Sequence, residues 1–365
     1  MRNFRCVCGN TLYFENSKCL GCGRAVGFLP TRLTLSALEP EGSDRFRALA
    51  DGGSYRACRN GRDQQICNWM IDAVEGNDYC RACRLNHLIP DLSDATNRIL
   101  WARIERAKRR LLYSLYALRL PVVGRDVDPE NGLAFEFLAD APVENEFADE
   151  AGAHQVLTGH RGGLITINIA EADPSTRESM RERMGEQYRT LLGHFRHEIA
   201  HYYWDRLIRS GGWHEPFRAL FGDERLDYAA ALRDYYANGP RPDWQEFGVS
   251  AYASSHPWED WAETWAHYLH MVDTLETAND YGFSFAGRPL RVPTTATASE
   301  KQFTSGGIPN VAGIDEVLAD WLQLTLALNA LNRSMGQRDA YPFTLTARAV
   351  EKLRFVHQVI ETTTR

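Results

Sequence analysis

The sequence predicts an α+β protein in which a cysteine-rich N-terminal region precedes a mostly helical domain with a small sheet. Three observations lead to this prediction. All eight cysteines lie at or before Cys83. The segments 133–138 and 164–168 show the alternation or the β-branched content of strands. Beyond residue 174, apolar residues recur mainly at the spacing of amphipathic helices.

Composition and charge exclude several classes of protein. The 365 residues are 44% hydrophobic, which is too apolar for wholesale disorder. No apolar run approaches the roughly 20 residues that span a bilayer, and the start of the sequence has no apolar segment of the secretory type. We therefore expect a cytoplasmic location and no membrane partner. Residues 1–90 carry 12 basic and 9 acidic side chains, a small excess that makes nucleic-acid binding only a minor alternative.

The cysteines fall into two groups of four. In a reducing compartment this clustering favours metal ligation over disulfides. The first group is Cys6, Cys8, Cys19 and Cys22, and the second is Cys58, Cys67, Cys80 and Cys83. Gly9 and Gly23 each follow a close pair and supply the backbone freedom of a metal-binding knuckle. Four thiolates suit tetrahedral Zn²⁺ and leave no position for water, so we expect two structural zinc sites. The alternatives are idle thiols and ligands shared between the groups.

Two long helical stretches are predicted further along the chain. The first covers 96–119, and its expected buried stripe is Ile99, Leu100, Ile104, Leu111 and Leu112. The basic run 106–110 is predicted to be the solvated face of this helix, with nucleic-acid contact as the alternative. The second stretch begins at Pro174 and extends to Arg209, with a break near Gly193.

This second stretch contains the motif H-E-x-x-H, formed by His197, Glu198 and His201. Two histidines four residues apart project from one face of a helix and can bind one Zn²⁺. Glu198, one step round the helix, can take a proton from a water on that metal. A helix with coincidental surface histidines is the alternative.

Two histidines leave a catalytic zinc one protein ligand short. Four candidates recur at helical spacing downstream: Glu259, Glu263, His267 and His270. A Glu ligand with an acid one turn later makes physical sense, because the second acid can accept the free imidazole N–H of a ligand histidine. A solvated acidic helix face is the alternative.

H-E-x-x-H followed by a downstream helix that carries Glu resembles the gluzincin class of zinc metallopeptidases. Tyr252, six residues and then Glu259-Asp-Trp-Ala-Glu263 looks like the second motif of the lethal-factor-like peptidases. That resemblance implies that Glu259 is the third zinc ligand, that Glu263 supports the ligands by hydrogen bonding, and that the Tyr252 hydroxyl stabilises the oxyanion. The segment from Glu263 to Tyr268 also resembles aminopeptidase-type gluzincins, which would make Glu263 the ligand. We favour Glu259 because only that register also places a Tyr and a second acid.

The whole arrangement resembles zinc-binding metallopeptidases with an N-terminal zinc ribbon. We expect a double zinc-ribbon region at 1–90, a linking helix at 91–125 and a zincin-like metallopeptidase domain at 126–365. The expected activity is hydrolysis of a peptide or protein substrate by a zinc-activated water, with Glu198 as general base. Three Zn²⁺ are expected, one catalytic and two structural. Strand 164–168 is a candidate edge on which an extended substrate could pair.

Two rival hypotheses remain. In the first, the ribbons bind a protein or a nucleic acid, and the zincin domain is inactive or regulatory. In the second, the metal chemistry is kept but the substrate is a non-peptide amide.

Overall fold

The computed structural model describes residues 2–140, 156, 158–183, 186, 188–293 and 313–364. Contacts divide the chain into two compact units. The first unit is Met1–Tyr116 with Pro121–Leu192, and the second is Ala117–Leu120 with Gly193–Arg365. The domain boundaries expected at residues 90 and 125 stay a prediction.

The first unit begins with a cysteine-rich region of short antiparallel strands. Strands β1 (Phe4–Arg5) and β2 (Thr11–Leu12) pair, and a five-stranded sheet follows in chain order: β3 (Val26–Leu29), β4 (Thr34–Pro40), β5 (Arg45–Ala48), β6 (Ser54–Ala57) and β7 (Met70–Asp72). A four-residue helix, α1 (Arg59–Arg62), lies between the last two strands. Side chains from successive strands form a small buried core: Leu29, Leu38, Ala48, Tyr55 and Met70. The α+β prediction with an N-terminal ribbon region is confirmed.

A long helix and a mixed sheet complete the first unit. The elements are β8 (Asn86–Leu88), α2 (Ala95–Ala117), β9 (Ala134–Leu138), β10 (Gly159–Arg161), β11 (Leu164–Asn168) and α3 (Pro174–Arg183). The strand order is β10-β11-β9-β8, with β9 parallel to both neighbours and β10 antiparallel to β11. The two predicted strands are confirmed as β9 and β11. The expectation that β11 is an open edge is wrong, because β10 covers its outer side through the Gly162-Gly163 turn.

Helix α2 corrects part of the predicted apolar stripe. Ile104 and Leu112 are buried as expected, whereas Ile99 is exposed and Trp101 is buried in the same part of the helix. The predicted solvated face is also wrong in part, because two members of the basic run are buried: Lys108 and Arg109.

The second unit is mostly helical in its described residues. Its helices are α4 (Leu191–Tyr203), α5 (His214–Phe221), α6 (Tyr228–Asn238), α7 (Trp244–Phe247), α8 (Pro257–Asp280), α9 (Ile314–Ser334) and α10 (Ala347–Thr364). A hairpin of β12 (Ser284–Phe285) and β13 (Arg288–Pro289) lies between α8 and α9. The predicted break lies a few residues before Gly193, which is inside α4: the described residues between α3 and α4, 186 and 188–190, are not helical. No helix in the described part of the chain has the length and apolarity needed to cross a membrane.

Two aromatic side chains of α8 contact α4. Helix α8 begins at Pro257, a position where proline costs no helical hydrogen bond. The indole Nε1 of Trp261 donates to the carbonyl of Ala200 at 2.9 Å. One turn later Trp265 stacks on Tyr203, with ring centroids 5.0 Å apart. Large buried aromatic side chains dominate core energetics, so these contacts place the first turns of α8 against the H-E-x-x-H face of α4.

Candidate metal centres

The first metal centre collects the first four cysteines: Cys6, Cys8, Cys19 and Cys22. Their Sγ atoms all lie within 4.8 Å of one another, and two of the pairs are 3.6 Å apart. Four thiolates at about 2.3 Å from one ion, at tetrahedral corners, are about 3.8 Å apart, so the geometry fits Zn²⁺. Gly9 and Gly23 have φ values of +84° and +75°, as a turn after each pair requires.

The second metal centre collects the other four cysteines: Cys58, Cys67, Cys80 and Cys83. Their Sγ atoms again lie within 4.8 Å of one another. Two backbone N–H groups point at the sulfurs, Trp69 N to Cys67 Sγ at 3.5 Å and Cys80 N to Cys58 Sγ at 3.4 Å. Such donors stabilise the thiolate form. Each centre therefore contains its own sequence group, and no ligand is shared between them.

Buried charges on α2 lie beside the second centre. Glu105 Oε2 lies 4.0 Å from the Sγ of Cys83. Lys108 Nζ is 2.8 Å from Glu105 Oε1, and Arg109 Nη1 is 3.6 Å from Glu105 Oε2. Four thiolates around one Zn²⁺ carry a net charge of −2, and the carboxylate adds to it. The two cations compensate this negative charge, which explains why they are buried although the sequence pattern placed them in solvent.

A third centre lies between α4 and α8. His197 and His201 are one turn apart on α4, and their ring centroids are 5.0 Å apart. Glu259, in the first turn of α8, is only 1% exposed. Its Oε2 is 2.9 Å from His197 Nε2, and its Oε1 is 3.6 Å from His201 Nε2. One ligand atom from each of the three residues lies within 4.8 Å of the other two.

The donors of this third centre fit zinc. Two imidazole nitrogens and one carboxylate oxygen make one of the known ligand sets of catalytic zinc, with a fourth position left open. His197 Nδ1 lies 2.7 Å from Glu263 Oε1, so its hydrogen is assigned to that side. The Nε2 atom then directs a lone pair at Glu259 Oε2 across 2.9 Å. Two lone pairs repel at this distance unless a cation or a proton lies between them.

Electrostatics agree with a cation between these groups. Burial by itself lowers the pKa of His197, but the two carboxylates outweigh burial and raise this pKa well above its ordinary value. Burial by itself raises the pKa of Glu259, but His201 and His197 outweigh burial and hold it well below the usual range. The carboxylate is therefore ionised and available as a metal ligand.

Glu263 lies on the other side of the His197 ring from Glu259. Besides its contact with His197 Nδ1, it accepts a hydrogen bond from the Ser250 hydroxyl at 2.6 Å through Oε2. Both of its oxygens are therefore engaged away from the Nε2 side of the cluster, Oε1 by His197 Nδ1 and Oε2 by the Ser250 hydroxyl. This geometry favours Glu259 over Glu263 as the third ligand. Glu263 instead orients the His197 imidazole through its contact with Nδ1.

Two further side chains at the centre carry uncommitted polar groups. Glu198 is buried, and burial raises the pKa of its carboxyl. Tyr252 lies in a short helical turn just before α8, with its ring centroid 5.9 Å from that of His197. Burial and the Glu259 charge raise the pKa of Tyr252, so its hydroxyl stays protonated. Within the described ranges neither the Glu198 carboxylate nor the Tyr252 hydroxyl makes a hydrogen bond, which leaves both for other groups.

The other two histidine candidates lie outside the centre. His267 Nε2 is 2.6 Å from the Tyr341 hydroxyl, and burial lowers the pKa of His267 to about 4. His270 lies against the ring of Trp321, with centroids 5.6 Å apart. Both histidines are parts of the core around α8.

Sequence reasoning missed two residues at the centre, Tyr228 and Ser250. The Tyr228 hydroxyl donates to Glu259 Oε1 at 2.6 Å, and the Ser250 hydroxyl donates to Glu263 Oε2 at the same distance. Neither residue belongs to a recognisable motif, and Tyr228 lies 31 residues before its partner. Only the tertiary structure brings these hydroxyls to the carboxylates.

The fold and the centres together define a zinc-binding protein with a ribbon region and a metallopeptidase-type domain. The chain belongs to the family described as "Putative zinc-binding metallo-peptidase", whose sequence model matches residues 97–359. A model described as a zinc-ribbon domain matches residues 3–94. The predicted resemblance is thereby confirmed at the level of the family.

Relatives from mycobacteria match almost the whole chain. Uncharacterized proteins of Mycobacterium tuberculosis and Mycobacterium bovis are 42% identical to it over 363 residues, covering 99% of this chain and 96% of theirs. No solved structure shows a significant match.

Proposed function

We propose that the chain is a gluzincin-type metallopeptidase that hydrolyses peptide bonds in a peptide or protein substrate. One observation carries the proposal. Two imidazoles and a buried carboxylate converge within 4.8 Å, next to a buried Glu198 with no structural hydrogen bond in the described part of the chain. An adjacent uncommitted carboxylate is what general-base catalysis needs and what a purely structural metal site does not.

The ligands proposed for the catalytic zinc are His197, His201 and Glu259. Bound there, Zn²⁺ would supply a Lewis acid that polarises a carbonyl and makes water a nucleophile near neutral pH. Glu263 holds the His197 ring through Nδ1, which presents Nε2 to the ligand cluster.

The proton transfers are assigned to Glu198. Its carboxylate accepts a proton from the attacking water and delivers it to the amine nitrogen that leaves. Burial raises the pKa of Glu198, which brings its basicity closer to that of a base working near neutral pH. The Tyr252 hydroxyl donates a hydrogen bond to the substrate oxygen as negative charge develops there. A donor of this kind typically contributes about 3 kcal/mol to transition-state stabilisation.

The two cysteine centres are proposed to hold structural zinc, because four thiolates leave no open position. The expected total is therefore three Zn²⁺ per chain. Free thiolates persist in a reducing environment, so we propose the cytoplasm as the location.

Zinc content and one activity comparison test the proposed function. Wild type and Glu198→Gln should each contain three zinc ions, and His197→Ala should contain two. Cleavage of denatured casein should fall by at least about 100-fold in Glu198→Gln. The matched control is Glu246→Gln, in an exposed residue of α7, which should retain full activity. Full activity of Glu198→Gln would refute the mechanism, and two zinc ions in both wild type and His197→Ala would show that the third centre binds none.

A second candidate function concerns the first cysteine centre. Leu20 is 91% exposed and Val7 is 58% exposed, and each lies between two ligands of this centre. Exposed aliphatic side chains on a rigid metal-bound turn suit contact with a protein. We propose that the exposed side chains of Val7 and Leu20 contact the protein substrate. Leu20→Ser should then raise the KM for a folded protein substrate and leave the KM for a short peptide unchanged. Salt-dependent retention of the chain on DNA or RNA would instead favour nucleic-acid binding.

A further inference from the structure

Helix α6 (Tyr228–Asn238) lies in the second unit without burying any of its own residues. The carboxylate of Asp227 caps its first turn by accepting from Ala230 N at 2.9 Å. Most of the stability of a helix in a protein comes from packing of an apolar face. Specific contacts must therefore hold α6 where it is.

Two tyrosines of α6 make such contacts with the third centre. The Tyr228 hydroxyl donates to Glu259 Oε1 at 2.6 Å. Its ring contacts those of His256 and Trp258 edge-on, with centroids 5.2 Å and 5.7 Å away. About two turns later, the Tyr235 ring lies 5.6 Å from that of Tyr252. The hydrogen bond from Tyr228 is thus directed at one oxygen of the Glu259 carboxylate.

That carboxylate needs a donor. Glu259 is 1% exposed, so water does not hydrate it fully, and a buried carboxylate oxygen without a partner is costly. Its Oε2 is 2.9 Å from His197 Nε2, and its Oε1 accepts from Tyr228 and lies 3.6 Å from His201 Nε2. Because the phenol holds Oε1, the carboxylate cannot rotate freely, so Oε2 stays directed at His197 Nε2 and Oε1 stays near His201 Nε2.

We propose that Tyr228 is a positioning residue that fixes the Glu259 carboxylate for metal binding in the third centre. The inference rests on the proposed function, since it assigns a supporting residue to the same metal site. Groups that orient metal ligands typically change metal affinity by about 10- to 100-fold when they are removed.

Metal affinity of the full chain tests this role without any peptidase assay. Tyr228→Phe removes only the hydroxyl and keeps the ring that packs on His256 and Trp258. The control is Tyr236→Phe, which removes a hydroxyl from the same helix at a position that is 62% exposed. The zinc dissociation constant of the third centre is measured by chelator competition, with the two cysteine-bound zinc ions and the far-UV CD spectrum as checks of folding. Visible absorption of Co²⁺ in the third centre reports the ligand geometry.

In Tyr228→Phe the zinc dissociation constant should rise by about 10- to 100-fold and the Co²⁺ bands should shift. Tyr236→Phe should match wild type in both measurements. Unchanged affinity and an unchanged Co²⁺ spectrum in Tyr228→Phe would overturn the inference, as would equal losses in the two variants. Absence of a third zinc ion from wild type would instead reject the proposed function itself, and the inference with it.

Discussion

Removing the Glu263 carboxylate tests which acid binds the metal and which acid orients a ligand. In Glu263→Ala, His197 Nδ1 loses an acceptor at 2.7 Å, and the Ser250 hydroxyl loses one at 2.6 Å. The cluster of His197, His201 and Glu259 keeps all its donor atoms. Zinc binding should therefore weaken in this variant without being lost.

The size of the effect follows from this contact. A hydrogen bond to a charged group contributes about 1.5–3 kcal/mol, which corresponds to about 10- to 150-fold in a dissociation constant. Loss of the carboxylate also lowers the proton affinity of His197, since Glu263 is one of the two groups that raise its pKa. Zinc then competes with a proton that His197 binds less tightly, which offsets part of the loss in zinc affinity. We expect a rise in the zinc dissociation constant of about 10- to 100-fold.

The assay is chelator competition on the purified chain at one pH and salt concentration. Glu263→Gln is the graded control, because its amide oxygen can still accept from Nδ1 without the charge, and its loss should be smaller. Glu259→Ala removes a ligand atom, so that variant should not retain the third zinc ion at a stoichiometric zinc concentration. The opposite pattern, with zinc lost in Glu263→Ala and retained in Glu259→Ala, would refute the reasoning and assign Glu263 as the ligand.

Three further predictions concern stability, each measured by urea unfolding. Lys108→Met removes the cation 2.8 Å from the buried Glu105 carboxylate, which keeps Arg109 at 3.6 Å, and should cost about 3 kcal/mol. Gly163→Ala should cost about 3 kcal/mol or more, because φ is +77° and a Cβ would overlap two carbonyl oxygens; at Gly162 a Cβ would meet only the Glu130 carbonyl oxygen, at 3.7 Å, so Gly162→Ala should cost about 1 kcal/mol. Since burial lowers the pKa of His267 to about 4, the unfolded chain binds this proton more readily, and stability should fall by up to about 3 kcal/mol as the pH drops from about 6.5 to about 4.

Each of these predictions has a control. Glu105→Gln combined with Lys108→Met should recover part of the loss, since the buried negative charge that has lost its nearer cation is then removed. Equal costs at Gly162 and Gly163 would mean that the overlap at Gly163 is relieved by movement of the turn. His267→Gln should flatten the pH dependence, measured in a His197→Ala background so that zinc release does not contribute; an unchanged slope would show that other groups cause it.

Local spacing predicted much of this protein. Cysteine pairs a few residues apart can reach one ion through a single turn, so the spacing predicted two groups of four thiolates. Only the structure shows that the two groups share no ligand. Two histidines four residues apart share one helix face, so their convergence needs only the helix itself. The strands at 134–138 and 164–168 follow from alternation and β-branched content.

Predictions that depended on neighbours were less successful. The basic run on α2 has a solvated pattern, yet Lys108 and Arg109 are buried because the thiolates and Glu105 supply the opposite charge. Strand β11 was predicted to be an edge, yet β10 pairs with it. The two strands are joined by Gly162 and Gly163, which both have positive φ. Whether a charged side chain is buried, or a strand is an edge, depends on a partner that lies elsewhere in the chain.

The sequence by itself determined the donors: eight thiolates in two groups, the histidine pair with its glutamate, and two downstream acids at helical spacing. The tertiary structure decided which acid joins the histidines and what holds it there. Glu259 and Glu263 lie one turn apart on α8 and have similar local sequences, so spacing cannot separate them. Packing of Trp261 and Trp265 against α4 sets the rotation of α8, which directs Glu259 at the Nε2 atoms and Glu263 at Nδ1. Hydroxyls from distant segments then hold both carboxylates, since a buried acid is stable only when its oxygens have partners.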